Sequence, residues 1–380
     1  MNNKIKLQLC LMRCLHALLP LDHRKVVFCS FSGGTYSDNP KAISERLHEL
    51  YPSAKQVWLF NDPKEKQVML PQYIQGVKRW SLRAIYELAT SRVWVFNDTQ
   101  PYWAYKGKNQ VYIQTWHGDR GFKKILNDCR PRTKKDQLPE TKTCDLAIAG
   151  SDFGESIFRS AFRYTGAILK TGTPRNDKLI DIDVETILQK KKELHLDASC
   201  KYLLYAPTLR SKASETKQDQ AIQQIDLIEV LAFLEKSTGE RWKVLVRAHN
   251  KVVGLSGIPE SEKILNVSHY EDMADLLQVS DILISDYSSS VGDFALTSRP
   301  IILFQDDRES YLEHDRTFYF DLDTSPFWIA QSQNDLVSIL CDLPNRDSKQ
   351  NCQEILSFYK THESGHACED TCNFIIEKIH

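Results

Sequence analysis

Net charge is what this 380-residue chain most conspicuously lacks: 49 Lys and Arg stand against 50 Asp and Glu, a formal charge of −1. Such balance argues against a dedicated nucleic-acid binder, and no nucleic-acid partner is expected. Glycine (15) and proline (14) are sparse and apolar residues make up 42%, which excludes collagen-like and broadly disordered chains. The 10 cysteines are scattered and form no C-x-x-C pair, so they read as reduced thiols rather than a disulfide framework. No apolar run reaches the ~18 residues of a membrane span. The P-loop, G-x-G-x-x-G and H-E-x-x-H patterns are all absent. The D-x-D triplets Asp181–Asp183 and Asp321–Asp323 are of a kind common by chance. No metal and no cofactor is expected.

What is present is an alternation of buried strands and amphipathic helices. Near-continuous apolar runs mark strands covered on both faces, the habit of parallel sheets. They fall at 25–31, 56–61, 92–98, 109–117, 145–151 and 167–172, then at 201–207, 243–249, 263–267, 281–286, 300–305 and 318–322. Helical patterns such as NPKAISERLHEL, SLRAIYELAT and EDMADLLQVS lie between them. At roughly 150 residues per domain, this predicts two Rossmann-like, doubly wound α/β domains facing a cleft. The expected division is 1–20 as an amphipathic helix, 21–175 as the first domain, and 176–380 as the second with C-terminal helices. The tail from about 334 is helical and able to pack back across both domains. The polar stretch 211–220 reads as a loop.

Residues 4–19 place Leu7, Leu11, Leu15 and Leu18 on one helical face, with Lys6 and Arg13 opposite. Arg13 interrupts the apolar run that a secretory signal needs. Residues 1–25 hold five basic residues and one acidic. A basic amphipathic helix suits an anionic membrane surface; the same pattern also serves a helix docked on the protein's own core.

Ligands of open α/β sheets bind beyond the carboxyl ends of the strands, so the residues standing there are the candidates. His117, before Gly118 and the basic residues Lys123 and Lys124, is a candidate general base, because imidazole titrates near neutrality. Arg175 and Asn176 follow the strand at 167–172. Pro207, Thr208 and Arg210 follow the strand at 201–207. Arg247 and His249 fall on one side of an extended strand, a cationic pair suited to a phosphoryl group. Asp286, Ser288, Ser289 and Ser290 open a helix whose free N–H groups suit phosphate. Ser290-x-x-Asp293 also has capping-box spacing. Together these residues suit an anionic ligand and a proton transfer.

The order of these motifs resembles that of the CDP-glycerol glycerophosphotransferases of teichoic-acid and capsule-polymer synthesis, over about residues 20–320. The matching stretches include FCSFSGGTYSDNPKAISERL (28–47), QTWHG (114–118), TGTPRND (171–177), YAPTLR (205–210), RAH (247–249) and DMADLLQVSDILISDYSSSVGDFALTSRPIILFQDD (272–307). The resemblance implies a GT-B-like fold and transfer of a polyol phosphate from CDP-glycerol, or a related CDP-polyol, to a hydroxyl of a membrane-lipid-linked glycan or polymer, with CMP leaving. The enzyme would work as a peripheral protein at the cytoplasmic face of the cell membrane. His117 would be the base, and Arg247 and His249 would stabilise the transferring phosphoryl group. Arg210, Ser288 and Ser289 would hold the donor's phosphates. CDP-ribitol transfer, nucleotide-sugar glycosyl transfer and a non-catalytic recruiting role are the alternatives. Two departures stand out: members often follow His-Gly with Thr-Pro, where this chain has Asp119-Arg120, and Arg-x-His with Pro, where it has Asn250.

Overall fold

The computed structural model describes residues 3–101, 104–129, 138, 140–208, 225–248 and 260–380. Two compact units form, one from residues 1–119, 126–177 and 362–380, the other from 120–125 and 178–361.

The first unit holds a seven-stranded parallel sheet in the order β3-β2-β1-β4-β5-β6-β7. Its strands are β1 (Asp22–Cys29), β2 (Lys55–Phe60), β3 (Ile74–Lys78), β4 (Ser91–Phe96), β5 (Val111–Gln114), β6 (Leu146–Ile148) and β7 (Ala167–Leu169). Successive side chains alternate between faces, and here both faces are covered. Val26, Phe28, Trp58 and Phe60 pack under the helices Asp38–Leu50 and Ala367–Ile379. Val27, Cys29, Val57, Leu59 and Trp94 belong to the opposite layer, with Ala84, Ile85 and Leu88 of the helix Leu82–Thr90. This two-sided burial is why the strands read as unbroken apolar runs.

The second unit holds a six-stranded parallel sheet, β10-β9-β8-β11-β12-β13. Its strands are β8 (Lys201–Ala206), β9 (Trp242–Val246), β10 (Ile264–Asn266), β11 (Ile282–Ser285), β12 (Ile301–Phe304) and β13 (Trp328–Ala330). In both sheets the strand order reverses beside the first strand, at β1/β4 and at β8/β11. Such switch points open crevices at the strands' carboxyl ends.

The structure differs from expectation in four places. The run 318–322 is no sheet strand: Phe318 makes only an isolated bridge with Lys123. Its aromatics instead surround Phe122, with ring centroids at 5.4 Å for Phe318 and 6.3 Å for Phe320. Strands β3 and β13 were not foreseen. The final helix joins the first unit, where Cys372, Ile375 and Ile379 enter the core. Asp177 accepts from the N–H groups of Ala367 (3.0 Å) and Cys368 (2.7 Å), tying that helix's free amides to the end of the first unit's main segment. The N-terminal helix (Asn3–Leu18) docks by Met12, with Ile5, Leu11 and Leu15 packed around it. Leu7 and Leu18 take no part in that packing and stay 70% and 79% exposed. The stretch 211–220 lies outside the described residues.

Candidate active site

In the first unit the groups converge on the end of β5. Gln114 closes the strand, and Trp116 turns the chain with φ +49°. His117 follows, half-buried, its ring 4.1 Å from that of Trp116 and 5.1 Å from Phe31. Its Nδ1 lies 2.6 Å from the Asn97 carbonyl, just beyond β4. Asn97 Oδ1 accepts from Phe31 N–H (2.8 Å), and Ser32 donates to Asp98 (2.5 Å). Phe31 and Ser32 have φ +42° and +56°, so a strained turn beyond β1 lies against the imidazole. Sequence reasoning did not single out Asn97, Asp98 or Asn39. The signal was available: Asn97 and Asp98 are polar residues ending an apolar strand, the criterion that selected the others.

Asp119 and Arg120, the two residues departing from the family pattern, are both buried. Asp119 accepts from Gly150 N–H (2.9 Å) and from the Ser151 hydroxyl (2.6 Å), which itself accepts from Gly154 N–H as the cap of the helix Asp152–Ser160. A Cβ on Gly154 would collide with Asp119 Oδ1, so a side chain there must displace that carboxylate. Arg120, fully buried, pairs with Asp293 (2.7 Å) and donates through Nε to the Gly292 carbonyl (3.1 Å). Gly292 likewise has no room for a side chain, since its Cβ would meet Arg120 Cβ at 2.3 Å.

Arg175 is buried beyond β7; its N–H donates to Asn39 Oδ1 (3.0 Å) and its guanidinium reaches Asp38 (3.4 Å). Asn176 donates to Glu363 (3.2 Å). Gly118 adjoins His117 and is half-buried.

In the second unit, Asp286 accepts from Thr208 N–H (2.9 Å) and Tyr287 N–H (2.5 Å), so its carboxylate ties the end of β8, after Pro207, to the end of β11. Ser288 and Ser289 are half-buried; Ser290 donates to the Ser288 hydroxyl (2.9 Å). The expected capping box is not formed. Ser289 is the cap of the helix Ser290–Phe294 without a side-chain bond, and Asp293 is turned to Arg120. Arg247 follows β9 and reaches the carbonyls of Tyr270 (3.5 Å) and Glu271 (3.3 Å). The turn that carries them continues into Asp272 and Asp275, which bind Lys178 at 3.3 and 2.6 Å. Burial works against the Lys178 charge, yet the two carboxylates raise its pKa above the ordinary lysine range. Lys123 and Lys124 lie on the segment 120–125, which joins this unit; Lys124 N–H donates to the Thr317 carbonyl (2.9 Å). Arg210 and His249 lie outside the described residues. Asp321 and Asp323, the second D-x-D pair, both face Arg308, at 3.6 and 2.6 Å. Among the described residues no group of three His, Cys, Asp or Glu could hold a metal ion, and no helix is long and apolar enough to cross a membrane.

Residues 11–377 match the family model of CDP-glycerol:poly(glycerophosphate) glycerophosphotransferase. Among curated proteins, the chain is 32% identical over 346 residues to a teichoic acid poly(glycerol phosphate) polymerase of Bacillus subtilis, covering 87% of this chain and 45% of that protein. The chain thus spans about half the length of that relative. It is 30% identical over 372 residues to a teichoic acid glycerol-phosphate transferase of Staphylococcus aureus, covering 93% and 92%. A Bacillus spizizenii teichoic acid ribitol-phosphate primase is 28% identical over 379 residues, covering 96% and 93%. A solved structure of the wall teichoic acid polymerase TagF, soaked with CDPG, superposes with a TM-score of 0.82 at 29% identity, covering 99% of this chain and 94% of that one.

Proposed function

This chain belongs to the CDP-glycerol:poly(glycerophosphate) glycerophosphotransferase family, and from that premise we propose that it moves a polyol phosphate from a CDP-linked donor to a hydroxyl of a lipid-linked acceptor. Glycerol phosphate is favoured over ribitol phosphate, because the glycerol-phosphate relatives reach 30–32% identity and the ribitol primase 28%. The product is a teichoic-acid-like or capsular polymer, or its first units.

The observation that carries the reading is the state of His117. A carbonyl can only accept a hydrogen bond, so the Asn97 oxygen at 2.6 Å requires the proton on Nδ1 and leaves the Nε2 lone pair basic. In the reaction Nε2 takes the acceptor's hydroxyl proton as the oxygen attacks the polyol-bearing phosphorus. The bond from that phosphorus to the bridging oxygen breaks, and CMP leaves with the electron pair. Arg247 and His249 stabilise the charge on the transferring phosphoryl group. Arg210 and the Ser288–Ser290 turn bind the donor's phosphates, with Asp286 holding that turn. Lys123 and Lys124 add positive charge. Arg175 and Asn176 serve the acceptor side through the Asn39 and Glu363 contacts.

The outer face of the N-terminal helix supports work at the cytoplasmic face of the membrane, where a soluble CDP-linked donor and a lipid-borne acceptor meet. Leu7 and Leu18 are exposed there, as are Lys6 and Arg13.

The test is incubation with CDP-glycerol, CDP-ribitol or sugar nucleotides and a lipid-linked acceptor. CMP release from CDP-glycerol is expected, and His117→Ala should reduce it by about 10²–10⁴-fold. Release of CDP or UDP from a sugar nucleotide, or undiminished turnover by the variant, would overturn the proposal.

A further inference from the structure

We infer that Asn39 and Gln114 are positioning residues for His117, clamping the Trp116 backbone so that one imidazole nitrogen alone is left basic. The inference rests on His117 being the base.

Trp116 has φ +49°, a left-handed conformation that a bulky L-residue adopts only when its surroundings impose it. Both of its backbone polar groups are gripped. Its N–H donates to Gln114 Oε1 at 2.8 Å, and its carbonyl accepts from Asn39 Nδ2 at 2.9 Å. Both side chains are fully buried.

The orientation of each amide is fixed by its other partners. Gln114 Nε2 donates to the Asp98 carbonyl (3.0 Å) and to the Tyr112 hydroxyl (2.8 Å), which donates onward to Glu140 (3.0 Å). Flipping the amide would set Oε1 against a carbonyl oxygen, so Oε1 must face Trp116 N–H. Asn39 Oδ1 accepts from Arg175 N–H at 3.0 Å, which turns Nδ2 toward the carbonyls of Trp116 and Thr115, the latter at 3.4 Å. One asparagine thus ties the start of the helix Asp38–Leu50 to the ends of β5 and β7.

The consequence falls on the next residue. With Trp116 locked, the His117 ring is delivered with Nδ1 against the Asn97 carbonyl. Release of the clamp lets Trp116 relax toward negative φ, and the ring loses that register. The proton then distributes between the two nitrogens.

Asn39→Asp tests this with little change of shape. It keeps the acceptor for Arg175 N–H but places an oxygen against the Trp116 carbonyl. Gln114→Glu keeps the acceptor for Trp116 N–H but sets an oxygen against the Asp98 carbonyl, which releases the amide that holds that acceptor in place. Each is expected to lower kcat for CMP release by about 10–100-fold, the scale of a small misplacement of a reacting group. KM for CDP-glycerol should stay within about twofold. A merely structural role would move both constants together with the thermal midpoint. An activity-independent readout is the tautomer itself, from ¹⁵N spectra of the histidine-labelled protein with His117→Ala for assignment. Wild type should show Nδ1–H at His117, and Asn39→Asp a mixture.

Wild-type kcat in both variants, or an Nε2–H tautomer in the wild type, overturns the inference. If the wild type releases no CMP from CDP-glycerol, the functional proposal falls, and the tautomer measurement still decides whether the clamp exists.

Discussion

Replacing Glu140 by glutamine should flatten the pH dependence of the first unit's stability. Glu140 is 1% exposed at the foot of the network that reaches Trp116. Burial pushes its carboxyl up to about 7, further than the Gln100 N–H and Tyr112 hydroxyl bonds pull it down, and Asp98 adds repulsion. One carboxyl oxygen, Oε2, has no hydrogen-bond partner among the described residues. Moving from an ordinary 4.5 to about 7 corresponds to about 3 kcal/mol, at ~1.36 kcal/mol per pH unit.

The sign follows from linkage. The folded protein holds this proton more tightly than the unfolded chain does. The contribution is fully present below about pH 4.5 and is lost as pH rises through about 7. Wild type and Glu140→Gln should therefore have similar stability near pH 5. Above pH 7.5 the variant should be more stable by up to about 3 kcal/mol, a rise in Tm of roughly 6–12 °C for a unit of this size. Calorimetric scans of both proteins at closely spaced pH values from 5 to 8.5 check this, since all other titrating groups cancel in the difference. Parallel Tm curves across that range would mean that Glu140 titrates alike in both states, and the burial argument would be wrong.

Three further outcomes follow from the packing. Gly154→Ala should displace Asp119 from its bonds to Gly150 and Ser151 and cost at least about 2 kcal/mol; in an Asp119→Ala background the same change should cost little, which a double-mutant cycle by denaturant titration measures. Asp293→Ala leaves the Arg120 guanidinium buried without its carboxylate and should destabilise the second unit by about 3–5 kcal/mol, seen as a lowered Tm without ligand; an unchanged Tm with weakened CDP binding would instead make Asp293 a ligand contact. Leu7→Glu with Leu18→Glu changes only the outer face of the N-terminal helix, and should move the protein from anionic vesicles to the supernatant in a sedimentation assay while Tm stays constant, because Met12 keeps the inner face docked.

Much of the fold was legible because parallel strands buried on both faces leave an unmistakable signal. Runs such as VVFC (26–29) and ILI (282–284) are apolar at every position, since Val26 and Val27 face different layers and both are buried. The edges were harder. Strand β3 contains Gly76 and buries only Ile74 and Val77, and β13 has three residues, so neither offers a long apolar run. The run at 318–322 shows the opposite failure. Phe318, Tyr319 and Phe320 have strand-like composition, but their burial comes from an aromatic cluster around Phe122 rather than from a sheet. Composition reports burial and cannot by itself say against what. The final helix, expected with the second domain or packed back across both, joins the first unit, and the Asp177 bonds that hold it span 190 residues. The site divides the same way. Strand ends could be read from the pattern, so His117 stands among the candidates; Asn39 meets the Trp116 carbonyl from a helix start far away in sequence, and no local spacing points to it.

The residues after His117-Gly118 bear on what may be concluded from the family resemblance. Where the family resemblance leads one to expect Thr-Pro, this chain places two opposite charges, and a change of that kind beside the candidate His117 invites the conclusion that a different substrate is bound. The structure argues otherwise. The Asp119 carboxylate lies against Gly150, Ser151 and the space above Gly154, and the Arg120 guanidinium against Gly292 and Asp293. Both charges are buried and answered within the protein, as buried charges must be. Each needs a glycine opposite it, because Asp119 fills the space a Cβ on Gly154 would take and Arg120 that of a Cβ on Gly292. The departure is therefore two packing solutions, Asp119 against Gly154 in the first unit and Arg120 against Gly292 and Asp293 in the second.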